Sequence, residues 1–207
     1  MSKRAEQIVP RDRVSELVAE ALTADGVASM LQIDIDRFDE VNRTLGRETG
    51  DRVLATVLGV AKATAKEEGW TYLRLGGDEF ALLAPAVALE PAFLRAECLR
   101  VTLDQALAED VPAELRCTAS IGVANVPRDA KTPDDLLRKA DLALFAAKEQ
   151  GGDAVALTPG DEMVLKSSYY SAAQLGRLKA LAERIGKKEA VLLREALDEL
   201  LQRYDRS

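Results

Sequence analysis

Hydrophobic and polar positions change period several times along the chain, and each change marks an element. Residues 12–22 set Val14, Leu17, Val18 and Leu22 at the spacing that lines one face of a helix. Residues 30–36 alternate instead, with Leu31, Ile33 and Ile35 on one side and Gln32, Asp34 and Asp36 on the other, which predicts a strand. A helix is expected from about Asp51, where Leu54, Val57, Leu58 and Ala61 recur at helical spacing. Tyr72 and Leu73 precede Gly76-Gly77, and Phe80, Leu82 and Leu83 follow, so two strands are expected around a tight glycine turn. Residues 91–108 read as a helix with Phe93, Leu94, Cys98 and Val101 inward, and residues 117–126 as a strand. Thr132-Pro133-Asp134-Asp135 opens a further helix with a capping hydroxyl, a proline in the first turn and early acids. That helix stops at Gly151-Gly152, and residues 154–157 form a short last strand. Strands and helices interleaved in this way predict an α+β domain, a central sheet flanked by helices.

The breaker cluster Thr158-Pro159-Gly160-Asp161 predicts a boundary, giving domains at 1–158 and 159–207. Beyond it the pattern becomes one strand, 163–170, and two helices. Ser171 and Gln174 form a capping-box signature for the first. Leu175, Leu178, Ala182 and Ile185 give it an apolar face, and Gly186 ends it. The second runs over about 188–204 with Leu193, Ala196, Leu197, Leu200 and Leu201 inward.

Composition narrows the chemistry. Hydrophobic residues make up 47% and charged residues 30% of 207 residues, the profile of a globular protein, and no apolar run approaches the roughly 20 residues that span a bilayer. No apolar signal core follows Met1-Ser2-Lys3-Arg4, so a cytoplasmic location without membrane contact is expected. Cys98 and Cys117 have no metal-like spacing and read as reduced thiols. The chain has no histidine, which removes Ser–His and Cys–His catalysis and most zinc sites. Metal chemistry must then rest on carboxylates, which favour magnesium, manganese or calcium. A net charge of −7 argues against indiscriminate nucleic-acid binding, but residues 161–207 hold nine Lys/Arg against eight Asp/Glu and form a different surface.

The candidate chemistry centres on Arg74-Leu75-Gly76-Gly77-Asp78-Glu79-Phe80. Two acids at a glycine turn suit a solvated loop and also a site where backbone meets phosphate beside a hard cation. If the strand carrying Asp34 neighbours this hairpin, Asp34 and Asp78 meet at one edge. Two or three carboxylates and a backbone carbonyl are what Mg²⁺ takes when substrate phosphates fill its other positions.

Four stretches in order resemble the diguanylate cyclase (GGDEF) family. They are Ile33-Asp34-Ile35-Asp36-Arg37-Phe38-Asp39-Glu40-Val41-Asn42 with Gly46 and Gly50-Asp51, then Gly76-Gly77-Asp78-Glu79-Phe80. Ala119-Ser120-Ile121-Gly122-Val123-Ala124 and Ala140-Asp141-Leu142-Ala143-Leu144-Phe145-Ala146-Ala147-Lys148 complete the set. The resemblance covers roughly residues 10–157. It implies a nucleotidyl-cyclase or polymerase-palm-like mixed sheet, and a homodimer that condenses two GTP into cyclic di-GMP with Mg²⁺ or Mn²⁺. By position, Asp34, the Ile35 carbonyl, Asp78 and Glu79 are the implied metal ligands, with Asp78 and Glu79 catalytic. The implied GTP-binding set is Phe38, Asn42, Asp51, Gly76, Gly77 and Lys148. Asp51 and Asn42 would read guanine: a carboxylate accepts from N1–H and N2–H, and an amide serves O6 or N3. Asp51 also fits a simple helix N-cap.

Some positions depart from the family. Asp39 stands where a lysine near the β/γ-phosphates is usual, Gly152 where an arginine follows the helix, and Arg47 where a histidine is common. Arg37 is a source of replacement charge. Glu67-Glu68-Gly69-Trp70 occupies the place of the Arg-x-x-Asp product-inhibition site, which is therefore expected to be absent.

Residues 163–204 resemble a ribbon–helix–helix DNA-binding module, through Lys166-Ser167-Ser168-Tyr169-Tyr170, Leu178-Lys179-Ala180-Leu181-Ala182, Gly186 and Leu192-Leu193-Arg194-Glu195-Ala196-Leu197. The resemblance implies a dimer whose paired strands enter the major groove of double-stranded DNA. Either Lys166, Ser168 and Tyr170 or Ser167 and Tyr169 would face the bases. Lys187 and Lys188 would meet a phosphate at a helix start. A dimerisation clip without DNA contact is the plainer alternative. Three functions follow: a dimeric cyclase tethered to DNA, an inactive regulator that senses GTP or cyclic di-GMP, and a structural dimer with neither activity.

Overall fold

The computed structural model describes residues 8–158 and 170–185, with Glu189, Leu192, Leu193 and Ala196 as further helical positions. The chain divides into two compact units, residues 1–162 and 163–207, described in turn. Among the described residues no helix is long and apolar enough to cross a membrane.

The first unit is built on a five-stranded sheet. Its strands are β1 (Ala28–Ile35), β2 (Thr71–Arg74), β3 (Glu79–Pro85), β4 (Ala119–Val126) and β5 (Val155–Leu157), in the spatial order β2-β3-β1-β4-β5. All neighbours are antiparallel except β4 and β5, so the sheet is mixed. The helices are α1 (Arg11–Asp25), α2 (Phe38–Leu45), α3 (Arg47–Glu68), α4 (Leu89–Leu107) and α5 (Pro133–Glu149).

Both faces of the sheet are covered. Leu31, Ile33 and Ile35 of β1 join Val53, Val57 and Ala61 of α3 and Leu99 and Leu103 of α4 in one core. Met30 joins Val14 and Val18 of α1 and Leu136 and Ala140 of α5 in the other. The expected alternation along β1 is present, but its polar side is not solvated: all eight residues are buried. Gln32 faces α5, where its Nε2 donates to Asp141 Oδ1 at 2.5 Å.

α5 lies on β4 at Gly122. A Cβ there would fall 2.2 Å from the Leu144 backbone nitrogen and 2.5 Å from the Ala140 carbonyl oxygen, so only glycine permits this approach. Thr132 caps α5 as expected, its side chain accepting from Asp135 N–H at 3.2 Å.

Two expectations are corrected. The helix placed at Asp51 begins at Arg47, after a separate α2 that ends at Gly46, so Asp51 lies in the second turn of α3 and is not an N-cap. In α4 the inward face is Leu89, Ala92, Ala96, Leu99, Leu103 and Leu107, while Leu94, Cys98 and Val101 are exposed. α4 thus carries two apolar stripes, of which the one rich in leucine is buried. The expected strands on either side of Gly76-Gly77 do pair as an antiparallel hairpin, and neither glycine adopts a positive φ.

In the second unit, α6 (Ala172–Ile185) starts with the expected capping box: Ser171 N–H donates to Gln174 Oε1 at 2.9 Å and Gln174 N–H to Ser171 Oγ at 3.2 Å. Of the expected strand over 163–170 only Tyr170 is described, and it lies in no strand; the rest of it and the DNA-contact candidates Lys166, Ser167, Ser168, Tyr169, Lys187 and Lys188 lie outside the described residues.

Candidate functional site

β1 and β3 are adjacent, and their register sets Asp34 opposite Glu79. Asp34 stands one residue before the end of β1, Glu79 opens β3, and Asp78 closes the hairpin loop. The three carboxylates gather at one end of the central strands. Asp34 is only 7% exposed. Burial raises its pKa, the neighbouring charges of Asp78 and Asp36 raise it further, and the hydrogen bond and charge of Lys148 oppose them. Burial likewise raises Glu79, with added repulsion from Asp34, Asp78 and Asp141. Lys148, in the last turn of α5, places Nζ 2.6 Å from Asp34 Oδ1.

Arg74 holds the hairpin from within. Its Nε donates to the Gly76 carbonyl at 3.1 Å and its Nη2 to the Gly77 carbonyl at 2.9 Å. Gly76 is constrained for a specific reason: a Cβ would sit 3.0 Å from Glu79 Oε2, whereas Gly77 faces open space. Arg74 lies inside the seven-residue motif, but no sequence pattern marked it as the clamp.

Asp36 plays a different part. Thr118 Oγ1 donates to its Oδ2 at 2.7 Å, Ser120 Oγ to its Oδ1 at 2.8 Å and Asp153 N–H to its Oδ2 at 2.9 Å. Its carboxylate accepts three hydrogen bonds and joins the end of β1 to β4 and to the loop before β5. Asp153 in turn is held by Arg100 at 2.5 Å and Arg116 at 2.7 Å.

A second constellation lies beyond β1. Phe38, Asp39, Asn42, Arg43, Arg47 and Asp51 line an open groove of about 490 Å³ between α2 and α3. Gly50 fixes the approach of the two helices: a Cβ on it would lie 2.0 Å from Asn42 Oδ1. Asn42 and Asp51 thus share one groove, and Arg43 and Arg47 add two cationic donors that the sequence reading did not place there. Phe38 opens α2 and packs partly against the core.

Hard cations take oxygen ligands, and Asp34, Asp78, Glu79 and the Ile35 carbonyl offer only oxygen. Among the described residues no three acids converge into a complete metal cage. Mg²⁺ does not require one, since it commonly takes one or two protein carboxylates and completes its shell with phosphates and water. The donor set therefore fits a Mg²⁺ or Mn²⁺ ion that arrives with a phosphorylated substrate.

Known proteins resemble this chain in sequence and fold. Over 151 residues the chain is 34% identical to the bifunctional diguanylate cyclase/cyclic di-GMP phosphodiesterase MucR of Pseudomonas aeruginosa, covering 73% of this chain and 22% of that protein. Over 127 residues it is 36% identical to the diguanylate cyclase DgcM of Escherichia coli, covering 61% of this chain and 30% of that one. The chain thus spans less than a third of the length of these two relatives. The solved active GGEEF domain of a diguanylate cyclase from Vibrio cholerae superposes with a TM-score of 0.65 at 23% identity, covering 75% of this chain and all of that one, which shows the shared fold. The family model for the diguanylate cyclase GGDEF domain matches residues 7–154, well over half of the sequence, and the chain belongs to that family.

Proposed function

We propose that this chain binds GTP and condenses two GTP into one cyclic di-GMP with release of two pyrophosphates. The observation that carries this reading is the meeting of Asp34 with Asp78 and Glu79 at one end of β1 and β3, beside Lys148. Asp34, the Ile35 carbonyl, Asp78 and Glu79 would hold Mg²⁺ or Mn²⁺. Bound there, the ion would polarise the α-phosphate and stabilise the leaving pyrophosphate.

The remaining roles belong to the protein. Asp51 accepts from guanine N1–H and N2–H, and Asn42 serves O6 or N3. Gly76 and Gly77 leave the hairpin backbone open to phosphate. Lys148 exchanges its partner Asp34 for a phosphate oxygen. Glu79, whose pKa is raised, assists removal of the proton from the attacking 3′-hydroxyl. Each 3′-oxygen bonds to the α-phosphorus of the other nucleotide as the bond to pyrophosphate breaks. One domain presents one GTP, so the reaction needs a homodimer.

Residues 159–207, read as a ribbon–helix–helix module, would supply that dimer and place it on double-stranded DNA through Lys166, Ser167, Ser168, Tyr169, Lys187 and Lys188. The capping box at Ser171 and Gln174 fits this reading. A second reading, an inactive regulator that senses GTP or cyclic di-GMP, is favoured by Asp39 and Gly152 at positions where phosphate-binding charge is usual.

Incubation with GTP and Mg²⁺ separates the two. The enzyme reading expects cyclic di-GMP from the native chain and none from Asp78→Ala; equal background from both leaves the regulator. For the tail, a gel shift on the promoter of its own gene should vanish when residues 161–207 are removed. An unchanged shift shows that the tail is not the DNA reader.

A further inference from the structure

A second cavity, of about 300 Å³, lies on the sheet face that α1 and α5 cover. Its polar wall is Arg11, Gln32, Glu79 and Asp141, and Val14, Leu75 and Leu137 line much of the rest. It shares Glu79 with the carboxylate site and otherwise uses residues that neither the metal nor the guanine reading employs. We infer that this cavity binds a small aliphatic amine in its ammonium form, held by Gln32 Oε1 and the carboxylates of Glu79 and Asp141.

Gln32 marks the site. It is 3% exposed and sits in mid-strand on β1. Its neighbours across the sheet are Ala81 on β3 and Gly122 on β4, and neither has a side-chain donor to offer. Its Nε2 donates to Asp141 Oδ1 at 2.5 Å. Turning the amide over would set Oε1 against that carboxylate, so chemistry fixes which end faces Asp141. Among the described residues no donor reaches Gln32 Oε1. A buried acceptor costs free energy unless a donor meets it, and this one lines a cavity that can admit a donor.

Charge selects the donor. Glu79 is the diagonal neighbour of Gln32 across β1 and β3, a separation that a long side chain spans. Asp141 reaches the same residue from α5. Among the described residues no ion pair engages Glu79, Asp141 or the exposed Arg11, so two negative charges face one positive charge. An alkylammonium carries three N–H donors and no acceptor, which matches one amide oxygen and two carboxylates. The neighbouring position shows the same pairing made within the chain. About two turns beyond Asp141 on α5, Lys148 sets its ammonium 2.6 Å from Asp34, the next residue along this face of β1. At Gln32 the acceptors are present and the lysine is not.

The remaining walls favour an organic cation over a metal ion. Val14, Leu75 and Leu137 give no ligand to a metal but pack well on methylene groups. Val9 completes that wall, and its N–H donates to the Arg74 carbonyl at 2.8 Å, which fixes it beside the hairpin. Among the described residues no three acids gather here as a metal cage.

The test follows the Gln32 side-chain amide signal by NMR in the full chain. The probes are n-butylammonium chloride, 1-butanol and sodium chloride at equal concentrations. Butylammonium should shift the signal saturably, and butanol and salt should not. Asp141→Asn keeps an acceptor for Gln32 Nε2 and removes only the charge, and it should weaken butylammonium by about tenfold or more. Gln32→Leu should weaken it similarly, read on the Leu75 and Leu137 amides; if that variant does not fold, Asp141→Asn decides alone. No saturable shift with butylammonium overturns the inference. So does an equal response to butanol, which would show a cavity for water or neutral molecules, and so does unchanged affinity in Asp141→Asn.

Discussion

Lys148 Nζ lies 2.6 Å from Asp34 Oδ1, so the last turn of α5 is tied by charge to the end of the central strand. The pair is asymmetric. The Asp34 side chain is 11% exposed and that of Lys148 41% exposed, so the acid depends on the lysine more than the reverse. Lys148→Ala is expected to cost about 1 kcal/mol in thermal or chemical unfolding, the upper range for a partly exposed pair. The same change should lower GTP turnover by about tenfold or more, through loss of one phosphate contact. A stability loss with unchanged turnover would show that Lys148 only neutralises Asp34.

Gly50→Ala separates helix stability from recognition. In an exposed helix, glycine to alanine stabilises by about 1 kcal/mol. Here the new methyl carbon falls 2.0 Å from Asn42 Oδ1 and must displace it. The expected outcome is a folded chain whose GTP affinity drops, measured by calorimetry, with little change in tripolyphosphate affinity. Unaltered GTP affinity would remove Asn42 from the guanine contacts.

Gly122→Ala acts through packing. Its methyl would meet α5 backbone, not a flexible side-chain end, at 2.2 Å, so α5 must move off β4. Overpacking of this kind costs about 1–3 kcal/mol and here sits at the upper end. Because α5 carries Lys148, the residual folded protein should also lose activity. Denaturant unfolding and turnover measured together test the coupling.

Much of this site was legible in the sequence because the elements carrying it are local. Gly76 to Phe80, Asp34 and the Thr132 cap each sit within one strand, turn or helix start, and the structure brings Asp34 and Glu79 into register. What failed was non-local. The stripe of Leu94, Cys98 and Val101 looked inward because large apolar residues outweigh alanines in a periodicity count, yet Ala92 and Ala96 face the sheet. Apolar residues recur at helical spacing only from Leu54 onward, so that spacing marks neither α2 nor the first turn of α3 and makes Asp51 look like a cap. The roles of Arg74 and Arg116 depend on carbonyls and acids brought near by folding, and spacing does not report them.

The buried acids set a pH dependence. Asp34 and Glu79 both have pKa values raised by burial, so the folded chain holds their protons more tightly than the unfolded chain. Their contribution to stability falls as pH rises from the ordinary carboxylate value through the raised one, and the penalty is complete above the raised value. Asp34→Asn removes the Asp34 share. The difference in melting temperature between this variant and the native chain should therefore be most favourable to the variant above the raised value and shrink on acidification. A difference that moves the other way would contradict the raised value. Protons also compete with Mg²⁺ for these oxygens, so metal affinity should fall over the same window.

The most direct measurement is cyclic di-GMP formed from GTP and Mg²⁺, followed beside pyrophosphate release in the native chain and in Asp34→Asn. The proposed condensation requires two pyrophosphates per cyclic di-GMP in the native chain, and the pairing of Asp34 with the acids at the start of β3 predicts loss of both products in the variant. Product formed at the same rate by Asp34→Asn, or no product above background from a native chain that binds GTP, would contradict that requirement.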